Sequence, residues 1–276
     1  MVVAMPELPE VEIVKRELEA KIVGKEINVV RFDTPKMMRP SPSGFVAGVT
    51  GKEIKAVRRR AKLLVFELSP LSYFVCHLKL TGRLFFRKPT EVQDNYVHIV
   101  FQFQDKTELR FSDSRKFGFC HYLQNEEEQL EILAGFGLEP LDDLTPDAFY
   151  RILSGTRRKT KVVLMDQKII SGIGNIYANE ALWLANINPV RPANELSREE
   201  AGRLFLAIEN VIKEALRHGG SSDQWYRHTD GSKGHYQERF KVYGRVGESC
   251  LKCGGEIERD KVGGRGTFWC PKCQKQ

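Results

Sequence analysis

Residues 97–103 read VHIVFQF. Val97, Ile99, Phe101 and Phe103 alternate with His98, Val100 and Gln102, the two-residue period of a half-buried β-strand. The same texture recurs on both sides. Short apolar runs at 26–32, 53–60, 62–68, 72–78, 82–87, 107–111 and 117–123 are divided by turn residues. About eight such runs predict a sandwich or barrel for this half of the chain. Ahead of them, 7–20 reads as a helix with Val11, Val14 and Leu18 on one face.

The texture changes near Gly135. Residues 137–145 read as a linker, and helical periodicity follows at 145–153, 159–165, 179–185 and 197–216. Ser197 and Glu200 form a capping box for the last of these. Residues 219–239 are glycine-rich, polar and aperiodic, and a loop of that length usually has a function or moves. The expected division is therefore 1–136, linker 137–145, 146–238 and a cysteine-rich module at 239–276, an α+β chain without internal repeats.

The 276 residues carry 43 Lys and Arg against 36 Asp and Glu, giving +7 and a pI near 9.0. That balance points to a polyanionic partner, nucleic acid first. No run approaches the roughly 18 apolar residues of a membrane-spanning helix. Met1–Ala4 is too short and uncharged to be a signal peptide, so the cytoplasm is the expected compartment.

Cys76 and Cys120 lie in apolar strand-like text and are expected as buried thiols. The other four cysteines fall in the last 27 residues. Cys250 and Cys253, then Cys270 and Cys273, make two Cys-x2-Cys knuckles, which suit one tetrahedral structural zinc. All four positions are protein thiolates, so no open site for catalysis is expected, and no organic cofactor is called for. Gly254-Gly255 and Gly263-Gly264 mark tight turns of a ribbon hairpin. Arg265, between Gly264 and Gly266, either clamps a phosphate or is a solvated turn residue.

Four further stretches carry chemistry. In Ser171–Tyr177 the glycines allow close backbone approach, and N–H groups opening the next helix, with Asn175, suit a phosphate. Upstream, Arg157, Arg158, Lys159 and Lys161 form a basic cluster, ordinarily a solvated face. Lys62 follows three arginines and opens an apolar strand, which fits either a buried amine of lowered pKa or a plain phosphate contact. The turn Asp113–Gly118 presents Arg115 and Phe117, an arginine to meet a base edge and a ring to wedge between bases. Finally, MPELPEVE starts at Met5. With Met5 as the true start and trimmed, Pro6 carries a free secondary amine able to form an iminium with a sugar aldehyde carbon, and Glu7 stands beside it. Met1–Ala4 is then read as a mis-assigned start.

PELPE at 6–10, RRAK at 59–62, RKFG at 115–118, GIGNIY at 172–177, VYGR at 242–245 and GRGTxxCxxC at 264–273 occur in this order. Together they resemble bacterial formamidopyrimidine-DNA glycosylase, from Pro6 to Cys273. The resemblance implies an N-terminal β-sandwich with its helix, a helix-two-turn-helix domain and a zinc-ribbon hairpin. It implies excision of oxidised purines from duplex DNA with AP lyase activity. From its size the chain is expected to act as a monomer, in the cytoplasm at the bacterial nucleoid. It makes Pro6 the nucleophile, Glu7 the acid and Lys62 a catalytic phosphate-binding lysine. Asn175 and Arg265 would hold phosphates, and Arg115 and Phe117 would fill the void left by the flipped base. His77 and Tyr177, within matching motifs, join the expected DNA contacts. The family's HLxMxG segment appears as His77–Gly82 with Leu80 in the methionine's place, a stiffer void filler. The related endonuclease VIII type, which acts on oxidised pyrimidines, usually begins PEGPE and lacks the RKFG turn. A chain in which Pro6 stays blocked would be a lesion-binding protein without catalysis.

Overall fold

The computed structural model describes residues 5–91, 94–222 and 225–275, so the Met1–Ala4 segment lies outside them. Helix α1 (Leu8–Ile22) opens the fold. Glu10 accepts the backbone N–H of Glu7 at 2.9 Å and completes a capping box at its start. Leu8, Val11, Val14, Leu18 and Ile22 form one buried stripe.

The strands β1 (Ile27–Phe32), β2 (Met38–Arg39), β3 (Ile54–Arg60), β4 (Leu63–Leu68), β5 (Ser72–His77), β6 (Gly82–Arg87), β7 (Val97–Phe103), β8 (Glu108–Asp113) and β9 (Phe119–Leu123) make two sheets. One runs β1-β7-β8-β6 and the other β2-β9-β5-β4-β3. The strand that opened the sequence analysis buries Ile99, Phe101 and Phe103 as expected. Phe74 of one sheet stacks on Phe101 of the other at 5.4 Å and on Phe66 at 4.1 Å, so aromatic rings fill the sandwich. Cys76 and Cys120 stand opposite each other in register and are buried. Two short helices in this half, α2 (Pro42–Val49) and α3 (Glu126–Ala134), were not anticipated.

The second half packs α4 (Pro146–Ser154), α5 (Thr160–Leu164), α6 (Asn175–Leu184) and α7 (Arg198–Arg217) around a separate core that includes Phe149, Leu182, Phe205 and Ile208. Ser197 and Glu200 form the expected capping box. Within the 137–145 stretch Glu139 is buried and takes the Ala61 N–H at 2.8 Å together with the Arg59 guanidinium. Strands β10 (Glu258–Val262) and β11 (Arg265–Trp269) make the terminal hairpin.

The aperiodic 219–239 segment is anchored to α1. Glu17 accepts the Thr229 N–H at 2.7 Å, the Thr229 hydroxyl at 2.8 Å and the His228 ring. Asp223 and Gln224 lie outside the described residues. Leu8 belongs to the helical core although the rest of the α1 stripe belongs to the sandwich core, so one helix joins both halves.

Candidate active site and nucleic-acid interface

The residue before the first helix meets the start of α6. Gly174, Ile176 and Tyr177 turn their N–H groups outward there, and α6 has no cap from its own neighbourhood. The Glu7 carboxylate fills the place, accepting from Gly174 at 2.6 Å and Ile176 at 2.9 Å. This anion sits where the helix dipole favours it. Burial nevertheless pushes its pKa above the usual carboxylate range, with Lys62 and the three N–H groups pulling it back. A carboxyl raised in this way can hold a proton for donation.

Lys62 reaches the same point from the sandwich. Arg60 pairs with Leu63, leaving Ala61-Lys62 as a two-residue hairpin loop, with Ala61 at φ 54. The Lys62 side chain is buried and its Nζ donates to the Ile173 carbonyl at 3.0 Å. Burial lowers its pKa, while Glu7 and Glu10 oppose that change. Gln167, which sequence reasoning passed over, shapes the glycine loop by donating to Ile173 O at 2.7 Å and accepting from Gly172 N at 3.0 Å.

A cleft of about 720 Å³ collects these groups. Met5, Glu7, Lys62, Leu80, Asn175 and Arg265 are among its walls. Pro6 is buried behind Met5, and its nitrogen is an amide while Met5 is attached. Leu80 and the Arg115–Phe117 turn are neighbours because Thr81 donates its hydroxyl to Asp113. Asp113 in turn accepts the N–H groups of Arg115 at 3.1 Å, Phe117 at 2.9 Å and Gly118 at 2.7 Å. The turn so held leaves Phe117 51% exposed, with the Arg115 guanidinium 4.8 Å from its ring.

Two expected DNA contacts also have partners within the protein. Tyr177 is buried, its hydroxyl donates to Glu10 and its ring stacks on Tyr236 at 5.6 Å, so its side chain is held in the interior. His77 accepts the Lys79 N–H at 3.0 Å, and burial drives its pKa down to about 3, so it is a neutral ring. Lys161 likewise leaves the basic surface cluster expected of it. It is fully buried and donates to Gly266 O at 3.0 Å and Thr267 Oγ1 at 2.7 Å, and burial lowers its pKa to about 7. It thereby ties α5 to the hairpin that carries Arg265.

The four cysteine sulfurs of the terminal module lie within 4.8 Å of one another. Cys253 and Cys270 are 3.5 Å apart, Cys250 and Cys273 3.9 Å. Tetrahedral zinc with Zn–S near ~2.3 Å needs sulfur separations of this size. The Trp183 indole N–H donates to Cys250 Sγ at 3.4 Å and the Gly255 N–H to Cys253 Sγ at 3.4 Å, as befits thiolates. This is one structural zinc site. A zinc bound there would brace the hairpin, whose strand β11 carries Arg265 to the cleft.

Residues 5–120 match the formamidopyrimidine-DNA glycosylase N-terminal domain, 136–226 the H2TH domain of the same enzyme, and 247–276 the zinc finger found in FPG and IleRS. The formamidopyrimidine-DNA glycosylase of Listeria innocua is 41% identical over 274 residues, covering 98% of this chain and 100% of that one. That of Chloroflexus aurantiacus is 43% identical over 273 residues, with 98% of each covered. Among solved structures, Lactococcus lactis Fpg in complex with DNA containing an abasic site aligns at TM-score 0.91 and 34% identity, covering 98% of this chain and all of that one. The same enzyme with DNA containing Fapy-dG aligns at 0.90. A sandwich and a helical domain sharing one cleft, with a zinc hairpin at its rim, define a DNA repair glycosylase with AP lyase activity. The chain belongs to the formamidopyrimidine-DNA glycosylase family. Among the described residues, no helix is long and apolar enough to cross a membrane.

Proposed function

We propose that this chain excises oxidised purines, 8-oxoguanine and formamidopyrimidines, from duplex DNA through the nitrogen of Pro6, and then cuts the strand by β,δ-elimination. The observation that carries the reading is the shared cleft: Glu7, Lys62, Asn175 and Arg265 line it together with Met5, the residue bonded to the Pro6 nitrogen. Removal of the residues before Pro6 opens that nitrogen to the cleft.

The duplex is bent and the damaged nucleotide extruded, at a cost of a few kcal/mol. Phe117, with Arg115 and Leu80, fills the vacated stack and offsets part of that cost. Asn175 and Arg265 hold the flanking phosphates. Pro6 attacks C1′ of the sugar while Glu7 protonates the ring oxygen, the base leaves, and an iminium forms. The iminium acidifies C2′, the 3′ phosphate departs, and a second elimination frees the 5′ side, leaving a one-nucleotide gap. A terminal amine near a pKa of ~8 is partly neutral at physiological pH, whereas an ordinary lysine near ~10.4 is almost fully charged. The cationic Lys62 beside the site favours the neutral amine further. The enzyme works as a monomer in the cytoplasm, at the bacterial nucleoid.

Borohydride trapping on duplex DNA containing 8-oxoguanine tests this directly. The expected adduct maps to Pro6 in a chain whose mass shows Pro6 as its first residue, and Pro6→Gly weakens or alters it. An adduct mapped to a lysine, or strand cutting by a chain that keeps Met1–Met5, overturns the proposal.

A further inference from the structure

Asn179 lies one helical turn beyond Asn175 on α6 and is 1% exposed. Its amide is held by two backbone groups that cannot exchange roles. The Asn175 carbonyl only accepts, and it takes Asn179 Nδ2 at 2.6 Å. The Phe268 N–H on β11 only donates, and it reaches Asn179 Oδ1 at 3.0 Å. The orientation of the Asn179 amide is therefore forced.

That orientation has an effect on the neighbouring side chain. Nδ2 of Asn179 also faces Asn175 Oδ1, at 3.4 Å. The oxygen of the Asn175 amide is thereby turned inward, and its NH2 group is left facing the cleft. Phosphate oxygens accept hydrogen bonds and do not donate them, so Asn175 can hold a phosphate only in this orientation. The other end of the link, Phe268, is three residues along β11 from Arg265, the other cleft-lining residue read as a phosphate holder.

We propose that Asn179 is a positioning residue: it sets the amide of Asn175 donor-outward and fixes the hairpin strand of Arg265 to the same helix, so that the two phosphate contacts act at a set separation. This inference rests on the reading of Asn175 and Arg265 as phosphate holders.

The test is a double-mutant cycle on full-length, zinc-loaded protein, reading affinity for duplex DNA containing an abasic-site analogue as a function of salt. Asn179→Asp keeps an acceptor for Phe268 N–H but has no N–H for Asn175, and its carboxylate draws the Asn175 NH2 inward. It should weaken binding about tenfold, the scale of one charge-assisted hydrogen bond. Asn175→Ala should lose a similar amount, and the double variant should lose no more than Asn175→Ala alone, because both changes remove the same contact. Should the aspartate variant misfold, Asn179→Ser, too short to reach Asn175 or the Phe268 N–H, cuts both links and should lose at least as much affinity as Asn175→Ala.

If Asn175→Ala leaves binding unchanged, the phosphate role of Asn175 falls, and with it the basis of this inference. If Asn175→Ala weakens binding and Asn179→Asp does not, or if the two losses multiply, the positioning role alone is overturned. A lowered Tm with unchanged affinity would likewise reduce Asn179 to a packing residue and overturn it.

Discussion

Gly174→Ala tests the seat of the acid. Gly174 has φ −130 and ψ −155, an extended backbone that alanine adopts without strain. The trouble is space. A Cβ at this position would lie 2.3 Å from Glu7 Cδ, 2.5 Å from Oε1 and 2.8 Å from Cγ. Carbon atoms settle about 3.5–4.0 Å apart, so the carboxylate must retreat by roughly 1 Å or more. It then gives up the N–H groups of Gly174 and Ile176, which now hold it at 2.6 and 2.9 Å. A hydrogen bond to a charged group contributes about 1.5–3 kcal/mol. Positioned general acids supply roughly 10²–10⁴-fold in rate, and a misplacement of about 1 Å can cost ~10²-fold. Single-turnover excision of 8-oxoguanine should therefore slow by at least about a hundredfold. A pre-formed abasic sugar opens to its aldehyde without help from the acid, so its cleavage should slow less. The assay is quenched-flow strand cutting on both duplexes, with Tm as the folding control. Excision at the parent rate by a folded Gly174→Ala protein would refute the placement of Glu7 on the helix end.

Two more expectations rest on buried carboxylates. Asp113 binds three backbone N–H groups and the Thr81 hydroxyl, so Asp113→Ala should destabilise the protein by several kcal/mol. Measured by denaturant unfolding and by fluorescence of 2-aminopurine opposite the lesion, it should also lose base extrusion, since these bonds hold the turn that presents Phe117. Glu10 is buried beside Glu7, and burial first, then the Glu7 charge, raises its pKa from 4.5 to about 7. The native state then holds a proton that the unfolded chain releases, so this group's contribution is intact below pH 4.5 and is lost as pH rises to about 7. The loss amounts to about 3 kcal/mol. Urea melts from pH 4.5 to 8 should show a shallower decline for Glu10→Gln than for the parent, and parallel profiles would refute the assignment.

The parts of the fold legible in the sequence are those whose causes are local. Alternation in 97–103 reports a strand because neighbouring side chains face opposite sides of a sheet. The two Cys-x2-Cys knuckles report a metal site because each pair spans one turn. Helix α6 was expected from residue 179 and begins at Asn175, because its cap is Glu7, 167 positions away in sequence. No local pattern encodes such a cap. Helix α2 is hidden by its glycines, one of which, Gly48, exists to admit the Tyr122 ring, 2.5 Å from where a Cβ would stand. The surface of α3 buries none of its residues and so leaves no stripe to read. In the site, the motif residues that line the cleft were visible as motifs. Gln167 and Asn179 were not, nor were the roles of Lys161 and Glu10, since each binds groups brought to it by the tertiary fold.

Leu8 has a consequence for how such a molecule can be divided. It starts the helix of one lobe yet is only 2% exposed within the core of the other. It sits against Gly172 so closely that a methyl there would touch its side chain at 2.6 Å. Cutting the gene at the linker would uncork the helical lobe and leave a greasy socket beside the acid's seat. The two lobes are thus poor candidates for recombination as interchangeable cassettes: a foreign partner would have to bring its own stopper, with the same girth.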